Sequence, residues 1–96
     1  MTAYVIFQED VLDQAAFETY KQLSPQSIAK FGGAFVVRGG PIEVLEGDFA
    51  RTRVVVIAFP SADDARAWHA SADYAEAKAL RLQISEGAAI LVEGVD

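Results

Sequence analysis

Apolar and polar positions run along this chain in short blocks, and each block predicts an element. Ala3–Phe7, AYVIF, is built of aromatic and β-branched residues and predicts a strand. Asp13 then stands where a helix N-cap belongs, and Ala16, Phe17, Tyr20 and Leu23 recur at helical spacing. Ser24-Pro25 interrupts that run. A serine cap followed by proline at the first helical position predicts a restart, with a short second segment through Ile28 to Phe31. Gly32-Gly33 closes it, because glycine accepts the left-handed conformation that ends helices.

Ala34–Arg38, AFVVR, is the second predicted strand. After Gly39-Gly40-Pro41 the segment IEVLE alternates again, and Gly47-Asp48 is a turn signal ahead of Arg53–Phe59, RVVVIAF. Two arrangements fit: one long strand kinked by a bulge at Gly39-Gly40, or an excursion off the sheet. The matched alternation of Ile42 and Val44 with Val54 and Val56 favours the kinked strand, in a hairpin with Arg53–Phe59. Ser61 and Asp64 have capping-box spacing at the start of a helix whose apolar line is Ala65, Trp68 and Ala72. Ser71 caps a continuation through Tyr74, Ala77, Leu80, Arg81 and Ile84, and Gly87 opens a last strand, AAILVEGV. The order βαββαβ is that of a ferredoxin-like α+β fold: a four-stranded antiparallel sheet with its helices on one face.

The strands carry a second message. A sheet with one wet face alternates apolar with polar residues, and these do not. Val54, Val56 and Ala58 point one way while Val55, Ile57 and Phe59 point the other; Tyr4 and Ile6 stand in the same relation to Val5 and Phe7. Helices cover one face, so the other needs an apolar partner, and the expected partner is a second copy: a homodimer packed sheet on sheet.

Composition narrows the function classes. Ninety-six residues predict a single domain over 1–96, and 52% hydrophobic residues exclude intrinsic disorder. The longest strongly apolar run, Val54–Phe59, is far below the roughly 20 residues of a membrane span. The N-terminus, MTAYVIFQED, has no basic region and predicts no secretory signal. The absence of cysteine removes disulfides and thiolate chemistry and fits a cytoplasmic location. A net charge of −6, with three lysines and five arginines scattered, leaves no basic face for nucleic acid.

Few residues carry candidate chemistry. Neither glycine pair has the spacing of a dinucleotide or P-loop motif, so both are architecture. By strand parity Arg38 ends a row with Ala34 and Val36. It is placed either to hold a carboxylate or oxyanion, or to pair with Asp63 or Asp64 near Pro60. Arg53 reads as an edge charge. His69, the single histidine, follows Trp68 on a helix and lies at its flank, a candidate general base; without cysteine or a second histidine it builds no zinc site. Trp68, Tyr74, Tyr4 and Tyr20 are either core or the lining of a small-molecule cleft between helices and sheet.

FGGAFVVRGG, VLEGD, RVVVIAFPS, ARAW and YAEAKALR, followed by LVEGV, resemble the DUF1330 family of small proteins of unknown function. The resemblance spans nearly the whole chain and implies a ferredoxin-like fold in a dimeric α+β barrel. It implies no catalytic residues, because the family has none established. The wider superfamily holds cofactor-independent monooxygenases, isomerases, dechlorinating and haem-dependent enzymes, and proteins with no known chemistry, so the fold does not choose.

Three functions are consistent with these residues. The first is a homodimer binding a small carboxylated or aromatic metabolite through Arg38, Trp68, Tyr74 and Tyr4. The second is an isomerase-like or monooxygenase-like enzyme in the same pocket, needing no cofactor or metal, with His69 or Tyr74 as acid or base. The third is a non-catalytic protein-interaction module.

Overall fold

The computed structural model describes residues 1–96. The elements are β1 (Ala3–Val11), α1 (Gln14–Lys30), β2 (Ala34–Arg38), β3 (Arg53–Phe59), α2 (Ala62–Ala70), α3 (Ala72–Ile84) and β4 (Ser85–Glu93). The strands form one antiparallel sheet in the order β2-β3-β1-β4, the ferredoxin-like arrangement. Three of the four predicted caps are in place: Asp13 accepts from the Ala16 N–H, Ser61 from Asp64, and Ser71 from Tyr74; Ser24 is not one, lying inside α1.

All three helices lie on one face. Val5, Phe7, Val55, Ile57 and Phe59 point toward them and pack with Phe17, Ile28, Trp68, Tyr74, Ala77 and Ile84 as a single core. On the opposite face the cross-strand register aligns Val37, Val56, Ile6 and Ile90 in one row, and Ala34, Ala58, Tyr4 and Val92 in the next. Nothing in the chain covers these rows. The molecule measures 32 × 31 × 17 Å, the thickness of one helical layer on one sheet.

Three local expectations are overturned. The helix does not restart at Ser24-Pro25; α1 runs unbroken through Pro25. Proline has no N–H for the carbonyl four residues back, so the Lys21 oxygen loses its helical partner. Arg38 Nη2 donates to that oxygen at 3.1 Å. A tertiary contact thus satisfies the group that the proline orphans.

The second correction concerns IEVLE. Residues 39–52 form no strand, and Ile42, Val44 and Leu45 stay exposed. Gly39 donates to the Val54 carbonyl and then the chain leaves the sheet. It returns at Asp10, whose carboxylate accepts from Arg51 Nη1, Thr52 N and Thr52 Oγ1, each at 2.9 Å. Asp10 shares strand parity with Ile6, so this return lies on the uncovered face. The third correction is smaller: β4 begins at Ser85, two residues before Gly87.

A bulge changes one further assignment. Phe35 opposes Ile57, but Val37 opposes Val56 and Arg38 opposes Val55, so Val36 is the extra residue. Parity flips there. Arg38 therefore leaves the Ala34 row and joins Phe35 on the helical face, its guanidinium 4.2 Å from the Phe35 ring centroid.

Candidate functional site

The register of β1 sets Glu9 directly opposite Arg53, both with the parity of the core residues Phe7 and Val55. Two charged groups therefore point under the helices. Glu9 is 3% exposed, and Arg53 Nε stands 3.6 Å from its Oε1. Neither Arg53 Nε nor Glu9 Oε2 has a hydrogen-bond partner. The Arg53 guanidinium lies 4.8 Å from the Phe17 ring centroid. Gly39 sits against it with φ +73°, and a Cβ there would collide with Arg53 Nη1. Glycine at 39 thus both turns the chain and leaves room for the guanidinium.

Deeper in, Arg81 is buried with its guanidinium 4.8 Å from the Phe7 ring centroid, and its Nε donates to the Tyr74 hydroxyl at 3.2 Å. That hydroxyl is 2.7 Å from the Tyr20 hydroxyl. Burial, then the neighbouring Tyr74, pushes the Tyr20 phenol well above the ordinary tyrosine range, so it stays protonated and is no base. Burial also raises Glu9, against the lowering pull of Arg81 and Arg53.

Toward solvent this cluster opens into a cleft between α1 and the sheet. An inner slot of about 20 Å³, touching Glu9, Phe17, Tyr20, Arg38 and Arg53, has room for about one water. Outside it lies a cleft of about 380 Å³ lined by Glu18, Lys21, Gln22, Arg38 and Arg53. Three cations face one carboxylate there, and that carboxylate, Glu18, is shared with Lys21 at 3.4 Å. On a chain of net charge −6, this is a local positive focus for anions.

The raised Glu9 has a consequence for stability. Below about pH 4.5 folded and unfolded chains both carry its proton; above that the unfolded chain releases it first. The proton's stabilising contribution is full at low pH and is lost as pH rises through the folded value. Glu9→Gln, a mimic of the protonated form, should match wild type at low pH. It should become more stable than wild type toward neutrality, measured by denaturant melts across pH. A gap that stays constant with pH would contradict the raised carboxyl.

The fold does not bring the four ligand-binding candidates together. Trp68 and Tyr74 are 0% exposed and fill the core: their rings stack at 4.1 Å, and Trp68 Nε1 donates to Ser27 Oγ at 3.1 Å. Tyr4 lies on the uncovered face, across from Ala58 and Val92, with the whole sheet between it and the cleft. Arg38 alone stands at the cleft. It is not near Asp63 or Asp64, because Ala34 is the β2 residue beside Ala58, and Arg38 is at the other end, opposite Val55. Those carboxylates have partners of their own, Arg66 and Ser61.

His69 borders a different cavity of about 230 Å³, with Val5, Ala65, Arg66, Ala89, Ile90 and Leu91. Partial burial, and then Lys78 and Arg81, lower its pKa and favour the neutral imidazole. It shares no cavity with Arg38.

Sequence reasoning missed Glu9 as a site residue and read Arg53 as an edge charge. The available signal was parity: each is a charged residue at a position where its strand otherwise presents core residues. Arg81 carried the helical equivalent, falling in line with Tyr74, Ala77 and Ile84.

Known structures with this architecture agree on the fold and stay silent on the site. A protein of unknown function from Rhodopseudomonas palustris aligns over 99% of this chain and 83% of its own, at 16% identity and a TM-score of 0.79. A putative antibiotic biosynthesis monooxygenase from Nitrosomonas europaea aligns over 97% and 90%, at 15% identity and 0.55. A dimeric protein of unknown function and ferredoxin-like fold from Bacteroides fragilis aligns over 97% and 95%, at 13% identity and 0.54. Among curated proteins none matches. The model of the domain of unknown function DUF1330 matches residues 2–95, and the chain belongs to that family.

Proposed function

We propose that this protein is a homodimer that binds a small carboxylated metabolite in the cleft between α1 and the sheet. The observation that carries the ligand reading is the pair Arg38 and Arg53. Both project from the sheet onto the helical face and line one open cleft, and neither is held by a carboxylate in hydrogen-bonding geometry. A guanidinium offers a flat fork of donors that matches a carboxylate in two parallel bonds. Phe17 and Phe35 lie beneath the two guanidiniums and support them from the side of the inner slot, so both forks are held at the cleft. The dimer reading rests on the uncovered apolar face, the exposed Ile42, Val44 and Leu45, and the dimeric relative in Bacteroides fragilis.

The test is thermal unfolding with a panel of small carboxylic acids that includes benzoate. A ligand at about 100 times its Kd adds roughly 2.7 kcal/mol. At about 4–8 °C per kcal/mol for a domain of this size, the melting point should rise by on the order of 10 °C. Arg53→Ala, compared with its own ligand-free melting point, should lose most of the rise, and Arg38→Ala a large part of it. A panel in which no acid moves the wild type, or a rise that survives Arg53→Ala, overturns the cleft as an anion site.

A further inference from the structure

Glu9 is placed strangely for a group whose only task is to neutralise Arg53. Its carboxylate is almost wholly buried, yet Oε2 makes no hydrogen bond, and Arg53 Nε stands 3.6 Å from Oε1, too far for one. Arg81, the other guanidinium close by, spends its Nε on Tyr74. Within the chain the ionised form of Glu9 is thus held by charge attraction and not by a hydrogen bond, against the cost of leaving bulk water. It also borders the inner slot that leads to the outer cleft.

A carboxylate arriving at the outer side of Arg53 draws on the same positive charge. It adds a second anion to a site with little water, which disfavours the ionised form of Glu9. Protonated, Glu9 turns from a pure acceptor into a donor, and its O–H can serve the slot beside the ligand. We propose that the cleft takes up its carboxylate together with one proton, the anion settling on Arg53 and Arg38 and the proton, drawn from solvent, on Glu9. This rests on the reading of the cleft as an anion site.

Glu9 is the buried carboxylate of this cluster, whereas Glu18, the other carboxylate of the cleft, is exposed and paired with Lys21. Arg53 faces Glu9 from β3 and Arg81 from α3, both permanent cations. Tyr20 on α1 is held protonated by burial, and Tyr74 on α3 is tied to it by a hydrogen bond. Arg38 and Lys21 stand at the mouth, and β4 offers Gly87 opposite Glu9. His69, which borders the other cavity, is the side chain whose ordinary titration falls in this range, and His69→Gln serves as its control.

The experiment adds benzoate, which stays ionised over this range, to the protein in weakly buffered salt between about pH 6 and 8, and records affinity and proton uptake. Wild type and His69→Gln should take up as much as one proton per bound benzoate, with affinity falling up to about tenfold per pH unit where uptake is complete. Glu9→Gln should bind at least as tightly as wild type at the high end, with flat pH dependence and no uptake. Wild-type binding without proton uptake overturns the proposal and leaves the anion site standing. Uptake that persists in Glu9→Gln also overturns it. No binding by any of the three proteins overturns the anion site itself, and the proposal with it.

Discussion

Replacing Val56 by aspartate is expected to convert a two-chain particle into a single chain of 10.3 kDa, read as a halving of the mass in solution by light scattering. Val56 stands mid-row on the uncovered face, with Val37 on one side and Ile6 and Ile90 on the other. The molecule's two longer extents, 32 and 31 Å, leave room on this side for the ~800 Å² per partner that stable dimers bury. A carboxylate there is solvated in the monomer and stripped of water in a sheet-on-sheet pair. An unpaired buried charge costs several kcal/mol, and two-fold symmetry imposes that cost twice. The monomer should keep its secondary structure, because Val56 points away from the helices. A wild type that already runs as one chain, or a variant that stays paired, would show that this face serves something else.

The second large effect is expected at Trp68. Its indole meets Tyr74 at 4.1 Å, Phe59 at 5.3 Å and Phe7 edge-on at 6.4 Å between ring centroids, and it is 0% exposed. Trp68→Ala removes that burial, leaves a void and deprives Ser27 of its indole donor. The loss should be about 3–5 kcal/mol, a large share of the 5–15 kcal/mol a domain has in total. The melting point should fall by roughly 15 °C or more. Trp68→Phe keeps a ring in the core and should show the benzoate shift of the wild type, since Trp68 borders neither the slot nor the outer cleft. Lost benzoate binding in Trp68→Phe, with little cost to stability in Trp68→Ala, would return Trp68 to the site and displace the cleft described above.

The candidate site shows unevenly how much was legible beforehand. Glu9 and Arg53 were open to a parity argument, because strand alternation alone aims each of them where its strand otherwise aims core residues. Arg38 was not. Its facing depends on the bulge at Val36, and a bulge exists only in relation to the strand opposite. Tyr4 and Tyr74 looked like companions by residue type, yet the sheet lies between them, and only the stacking order of helices and strands decides that. Arg38 and His69 share the helical side but border different cavities, one beside α1 and β3 and the other beside α2 and β4.

By itself the sequence determined the order of elements, the helix caps and the two-faced apolar strands, because these follow from periods of two and 3.6 residues and from local hydrogen bonds of Asp13, Ser61 and Ser71. The tertiary structure decided everything that needs a partner distant in the chain. IEVLE alternates like a strand, but alternation supplies no neighbouring backbone to pair with, and residues 39–52 leave the sheet. Pro25 ought to break a helix, but Arg38, folded against α1, supplies the donor that the Lys21 carbonyl lacks, and the helix continues. Glu9 and Arg53 become a buried pair only when β1 and β3 align in one register, forty-four positions apart in the chain.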